Sequence, residues 1–315
     1  MVTEARPTHP LVRRLAALVA LSRPSVWITS LLPFCLGYVL ATHRFLPASC
    51  TPLTGDCFAD IRPLATGILL MGPLAWLAIL AINDASDLPG DLHNPRKVGK
   101  PVASGRMSAN NATKLAYVAG AVALGVAITI GFPITVMTLL WLALGWAYSV
   151  PPLRLKTRPG WDVATNAVAV GGLALVAGWS VAQPIVDFPW IMVVEGLLVG
   201  TALYLPTTLA DYDADVASGY TTSGVRLGRA RAHYIGLGAM AASCVIAIVL
   251  SASDYVIPHR MLGIQIVAAP ILIGAYHLLL SRAHGPKAVV KASVVITLMF
   301  TAVNVAFGVM YVGWV

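Results

Sequence analysis

Charge is what this chain has least of. Only 11% of its 315 residues are Asp, Glu, Lys or Arg, whereas a soluble domain carries about a quarter. With 58% hydrophobic residues, that scarcity excludes a soluble globular protein and points to an integral membrane one. Cysteine is scarce too: four residues do not staple a chain this long. Cys35 and Cys244 fall inside apolar runs and read as buried apolar residues. Cys50 and Cys57 share one outer loop, where a disulfide and two free thiols are both open readings. Heptads, low-complexity tracts and a soluble domain are all missing. The stretch up to Ser22 shows no short apolar core with a small-residue cleavage site, so no signal peptide is expected. The excess positive charge of +8 is scattered over short loops. That pattern fits membrane topology and argues against a nucleic-acid partner.

Apolar runs near the ~20 residues needed to cross a bilayer are what is present instead. Nine occur, at 24–42, 63–83, 112–131, 133–149, 162–182, 190–210, 232–252, 261–281 and 289–314. The expected fold is an all-α integral membrane protein of about nine transmembrane helices. Residues 1–22 form a cytoplasmic N-terminal segment and 23–315 a single transmembrane domain. Basic residues fall in alternate loops: Arg6, Arg13, Arg14 and Arg23; then Arg96, Lys97, Lys100 and Arg106; then Arg154, Lys156 and Arg158; then Arg226, Arg229 and Arg231; then Arg282, Lys287 and Lys291. The positive-inside rule places these loops and the N-terminus in the cytoplasm and the C-terminus outside. The runs read as two four-helix units plus one extra helix. An acidic stretch follows the second span of each unit and a basic loop the fourth.

Those acidic stretches carry the chemistry. The second run ends in Asn83-Asp84-Ala85-Ser86-Asp87-Leu88-Pro89-Gly90-Asp91. Helix through its first part puts Asn83 and Asp87 on one face, and a turn at Gly90 brings Asp91 back beside them. The sixth run ends in Asp211-Tyr212-Asp213-Ala214-Asp215, with Asp211 and Asp215 again four apart. Crowded carboxylates repel, so a positive partner is expected. Oxygen-only ligands favour a hard divalent cation, Mg²⁺ in particular, shared with substrate phosphates. Either stretch alone also reads as a solvated loop with helix-capping Asp. The pair, in matching positions, favours one metal–diphosphate site.

Basic residues beside these stretches serve topology or bind phosphate oxygens. Lys100, before Pro101 and a small-residue turn, is the candidate of its loop. Pro151-Pro152 ends the fourth span and aims Arg154 and Lys156 along one edge of an extended segment. Tyr148 is an interfacial anchor or a ring near a developing cation. Glu195 lies near an outer boundary or lines a cavity, and His277 reads as a helix-end residue.

At this point the residues carry a resemblance. Asn83-x-x-x-Asp87-x-x-x-Asp91 resembles the first aspartate-rich motif of the UbiA superfamily of intramembrane prenyltransferases. Asp211-x-Asp213-x-Asp215-x-x-x-Gly219, continuing through Thr222, Val225, Leu227 and Gly228, is similar to the second. The run from Ala147 to Lys156 looks like the segment after helix four in the chlorophyll-synthase and carotenoid branches, and Ser22-Arg23-Pro24 matches the usual entry. Lys100-Pro101-Val102-Ala103-Ser104-Gly105 departs from the chlorophyll-synthase pattern, as does Asp213-Ala214-Asp215. Asn94-Pro95-Arg96-Lys97 is closer to lycopene elongases. The resemblance implies transfer of an isoprenyl chain from an isoprenyl diphosphate to a lipophilic acceptor (aromatic, tetrapyrrole or isoprenoid) amid membrane lipid. Asn83, Asp87, Asp91, Asp211 and Asp215 would hold Mg²⁺ and diphosphate, with Asp84 and Asp213 as auxiliary ligands. Two rivals stand. A terpene cyclase would ionise the same diphosphate without an acceptor. A lipid-phosphate transporter would be expected to carry polar groups at mid-membrane on broken helices, and here the ionisable groups crowd one face.

Overall fold

The computed structural model describes residues 10–50, 56–92 and 98–313, and its regular elements there are all helices. Arg6 and the run from His93 to Lys97, including Arg96, lie outside the described residues, as do the side chains of Arg13 and Arg14. Two helices are too short to span. α1 (Pro10–Ser22) precedes the first span, and α8 (Tyr212–Ala217) carries part of the second acidic stretch. The other nine are long and apolar enough to cross a membrane: α2 (Pro24–Thr42), α3 (Cys57–Asp91), α4 (Ala109–Ile130), α5 (Phe132–Ser149), α6 (Trp161–Trp179), α7 (Ile191–Ala210), α9 (Ser223–Ala252), α10 (His259–Ser281) and α11 (Pro286–Val312).

Helix boundaries follow local chemistry. α2 opens with Pro24 at its first position, after Arg23 turns the chain in a left-handed conformation. Ser108 and Thr222 cap α4 and α9, each accepting from the backbone three residues on. Two of the spans outgrow their apolar runs. α3 begins at Cys57 and runs without a stop through Asp91. α9 begins at Ser223 and bends at Gly228, whose φ of 77° suits a residue without a side chain. The N-terminal segment is likewise helical from Pro10, and Leu21 packs fully buried with Ala81, Ile82 and Ala116.

α3 is bent at Leu70–Leu74, a wide turn that contains Pro73. Proline has no N–H to give and its ring crowds the preceding turn, so the ladder opens there. The Met71 carbonyl then accepts from Ser30 Oγ of α2 at 2.8 Å, and Trp76 Nε1 donates to the same hydroxyl at 2.8 Å. Trp76 in turn meets Trp141 of α5 edge-on at 5.9 Å. A second wide turn, Ala167–Leu173, lies in α6. A Cβ at Gly171 would fall 2.0 Å from the Gly196 carbonyl of α7, and one at Gly178 would fall 1.8 Å from the Phe34 carbonyl of α2. Without a hydrophobic drive between helices in lipid, such small-residue contacts are what let backbones approach.

Three large groups of buried side chains fill the bundle. Phe34, Leu70, Trp76, Ala123, Trp141 and Ala174 join α2 through α6. Leu205, Met240, Leu272, Tyr276 and Ile296 join α7, α9, α10 and α11. A third group, Val39, Leu175, Met192, Leu250 and Phe307, joins α2 and α6 to α7, α9 and α11. The acidic stretches leave the second and sixth spans, α3 and α7. At the end of the bundle away from the acidic stretches, Cys50 and Cys57 are disulfide-bonded, which resolves that pair.

Candidate active site

The first acidic stretch stays helical to its last residue. Pro89 falls in the final turn, where few intrahelical bonds remain to be lost, and Gly90 does not turn the chain. Asn83, Asp87 and Asp91 therefore share one face by helical spacing alone. Asp84, Asp87 and Asp91 are all buried. Each is met by cations from elsewhere in the chain. Arg23, at the α1–α2 junction, pairs with Asp84, whose Oδ1 also accepts from Lys100 Nζ at 3.0 Å. Lys100 reaches Asp91 at 2.9 Å as well. Asp87 pairs with Lys156, and with Arg154 at 3.1 Å. Three carboxylates and four cations thus interleave at one end of the bundle.

Arg154 and Lys156 do not lie along an extended edge. Pro151-Pro152 is cis, Arg154 adopts a left-handed φ of 41°, and Leu155–Thr157 forms a single tight turn. The turn brings both side chains to Asp87 even though they are two residues apart. Asn83 donates from Nδ2 to Ser149 Oγ of α5 at 3.1 Å. Below it, the Tyr148 and Tyr204 hydroxyls share a hydrogen bond of 2.6 Å between α5 and α7.

The second stretch is built differently. Asp211 sits at the joint of α7 and α8, and its carbonyl accepts from the Asp215 N–H at 2.9 Å. Asp215 Oδ2 accepts from Thr222 Oγ1 at 3.0 Å. Asp213 is turned outward and exposed, paired with Arg229 at 3.0 Å. Tyr220 connects the stretches. Its hydroxyl accepts from Arg154 Nη2 at 3.0 Å, and the guanidinium carbon stands 5.1 Å from its ring centre. The hydroxyl lies over Gly90, where a Cβ would come within 3.1 Å of it.

Among the described residues, no three His, Cys, Asp or Glu side chains converge as a ready-made metal cage. The donor chemistry among the described residues nevertheless suits a hard cation: carboxylate oxygens on two helix ends. Asp84 Oδ2 is buried without a hydrogen-bond partner, an acceptor left over for a further donor or ion. Glu195, four residues into α7 from the far end, accepts from Ser243 Oγ at 3.1 Å. His277 contacts His233 at 3.1 Å near the acidic ends of α10 and α9.

Sequence reasoning missed Tyr220, Tyr204, Ser149 and Asp162, and read Arg23 as a topology charge at the entry to the first span rather than as a partner of Asp84. Only Asp162 announces itself, as a charge within an apolar run.

A helical membrane bundle with carboxylates and cations interleaved at one end defines an intramembrane protein with a charged site at the end of an apolar bundle. The chain belongs to the UbiA prenyltransferase family, whose model matches residues 30–302. It is an enzyme, a prenyltransferase, and the transport reading falls. It is 28% identical over 261 residues to a lycopene elongase/hydratase of Haloarcula japonica, covering 82% of this chain and 80% of that protein. It is 27% identical over 190 residues to the bacteriochlorophyll synthase 33 kDa chain of Rhodobacter capsulatus, spanning 59% of this chain and 58% of that protein. Its fold matches that of a UbiA homolog from Archaeoglobus fulgidus bound to GPP and Mg²⁺. The TM-score is 0.71 at 22% identity, over 92% of this chain and 99% of that one.

Proposed function

We propose that this enzyme transfers an isoprenyl group from an isoprenyl diphosphate to a long apolar acceptor, a polyene or tetrapyrrole, in a Mg²⁺-dependent reaction. The observation that carries the reading is the meeting of Arg154, Lys156 and Lys100 with Asp84, Asp87 and Asp91 at the end of an apolar bundle. That arrangement fits a diphosphate head with a greasy tail. The names of the relatives, a carotenoid enzyme and a chlorophyll enzyme, support an extended conjugated acceptor.

Asp87, Asp91, Asp211 and Asp215, with Asn83, would hold Mg²⁺, and Asp84 and Asp213 stand beside them as auxiliary acceptors. Bound Mg²⁺ supplies charge neutralisation of the diphosphate. Lys100, Arg154 and Lys156 exchange their carboxylate partners for phosphate oxygens, Arg154 by its planar fork and the lysines as point charges. They stabilise the charge that grows on the leaving group as the C1–O bond breaks and its electron pair departs with diphosphate. The allylic cation left behind is attacked by a π bond of a polyene acceptor, which then loses a proton, or by the carboxylate oxygen of a tetrapyrrole acid, which forms an ester. Tyr148 and Tyr204 offer π faces near that cation. The apolar helices exclude water that would capture it. The site faces the cytoplasm, on the strength of the basic loops.

Turnover of the purified protein in detergent tests this. Radiolabelled geranylgeranyl diphosphate is supplied with Mg²⁺ or EDTA, and with lycopene, chlorophyllide, dihydroxynaphthoate or hydroxybenzoate. Mg²⁺-dependent labelling of lycopene or chlorophyllide is expected. Diphosphate release with no acceptor adduct would replace transfer by cyclisation. No consumption by folded protein would refute the reading.

A further inference from the structure

Asp162, in the first turn of α6, is fully buried, and among the described residues no Lys or Arg pairs with it. A charge in a membrane-spanning segment is costly and marks a functional position by default. This one is met by hydrogen bonds alone. Its Oδ2 accepts from the Ser223 N–H at 2.8 Å, and its Oδ1 accepts from the Val163 N–H at 2.9 Å and from the Ser223 hydroxyl. Ser223 Oγ in turn accepts from the Gly160 N–H at 2.8 Å, and Ser223 is itself buried.

The two segments joined here carry Arg154 and Lys156 on one side and Asp215 and Tyr220 on the other. On one side, Lys156 is connected to Asp162 through consecutive tight turns: Arg158 N–H to the Leu155 carbonyl at 3.0 Å and Asp162 N–H to the Arg158 carbonyl at 3.2 Å. On the other, Ser223 follows Thr222, whose hydroxyl holds Asp215 at 3.0 Å. Neighbouring side chains thus reach in opposite directions, Thr222 to the second acidic stretch and Ser223 to the latch. Nearer the head-group site, Arg154 and Tyr220 make a second crossing between the same segments.

We infer that Asp162 is a positioning residue. Through Ser223 and Gly160 it fixes the segment bearing Arg154 and Lys156 in register with the segment bearing Asp215 and Tyr220, so that both close on one diphosphate head. This rests on the proposed use of an isoprenyl diphosphate. The latch acts on the head group and leaves the acceptor's site alone. Asparagine cannot replace the carboxylate, because its amide N–H₂ must face a backbone N–H wherever it is turned.

The test is calorimetric titration of inorganic diphosphate, with Mg²⁺, into wild type and Asp162→Asn, with steady-state kinetics alongside. Expected is a loss of about tenfold or more in diphosphate affinity, matched in KM for the prenyl diphosphate, with the acceptor KM unchanged. In a Lys156→Ala background the same substitution should cost less than it does in wild type, because one of the two cations it positions is gone. Diphosphate affinity equal to wild type, with only a lowered melting temperature, would overturn the inference. So would full additivity with Lys156→Ala. If Asp162→Asn is not recovered folded, Ser223→Ala removes two of the four bonds and carries the same expectations and the same refutation. Wild type that binds diphosphate but transfers no prenyl group would count against the proposed reaction and leave the latch standing.

Discussion

Replacing Asp87 by asparagine should make the protein bind diphosphate more tightly while ruining it as an enzyme. Asp87 is the anion for both Lys156 and Arg154, whose side chains are 11% and 25% exposed. A unit pair at this separation is worth about 4 kcal/mol at an effective dielectric of 20. Partial exposure and flexible side chains cut the realised value to about 1 kcal/mol for each cation. Removing the charge therefore releases about 2 kcal/mol of attraction for another anion, or roughly thirtyfold in affinity. Calorimetric titration of inorganic diphosphate in EDTA reads this directly, since no metal competes for the carboxylates. The gain should shrink as salt rises through the Debye range. In Mg²⁺, turnover of the same variant should fall by about a hundredfold or more, the scale expected for losing one electrostatic contact of a transition state. Equal or weaker diphosphate binding in EDTA would refute the idea that Asp87 shields a phosphate-binding pair of cations. Undiminished turnover would refute its part in holding the metal.

Asp215→Ala should abolish turnover while the protein stays monodisperse and helical; normal turnover would remove the second acidic stretch from the site. Tyr220→Phe takes the acceptor from Arg154 Nη2 at 3.0 Å, so the prenyl-diphosphate KM should rise about tenfold with acceptor KM unmoved; a change confined to the acceptor would reverse that assignment. Cys50→Ser opens the Cys50–Cys57 loop at the far end, and should cost about 2 kcal/mol in stability with kcat retained. An unchanged melting temperature would show that the loop is held by packing alone.

The spans were legible because lipid imposes a simple rule: every backbone group must be satisfied within an unbroken apolar helix. Five of the nine ends flanking the loops on the acidic side lie beyond the apolar runs, most clearly at Asp84–Asp91 and Ser223–Ala232, where polar residues continue the helix. Hydropathy ends where the lipid does, and hydrogen bonding continues into the interface. Gly90 and Pro89 read as a stop by propensity, but the last turn of a helix has little left for proline to break. The acidic residues were legible as a set from spacing. Their partners were not, because Arg23, Lys100, Arg154 and Lys156 come from three separate loops and only the folded chain brings them to one place. Tyr220 and Tyr204 gave no signal at all, since a tyrosine at a membrane boundary is ordinarily an anchor.

The basic loops carry two kinds of cation with the same sign and different work. Arg106 donates to Ser104 Oγ at 2.9 Å and to the Gly99 carbonyl, and Arg158 donates to the Pro152 carbonyl at 2.8 Å. Both stiffen their own loop. Lys100, Arg154 and Lys156 leave those same loops for carboxylates on α3. Insertion needs only net positive charge on one side, and any of the five residues satisfies that. What insertion cannot explain is the left-handed Arg154 and the tight turn after it, which bend one loop back onto Asp87. Nor can it explain a buried carboxylate at Asp162 holding that loop to the next. A chain that needed charge for topology alone would leave it in water, where it is best solvated. Drawing three of these cations into a half-buried cluster is a cost that the α3 carboxylates offset in part, and on the proposed reading an isoprenyl diphosphate offsets the rest.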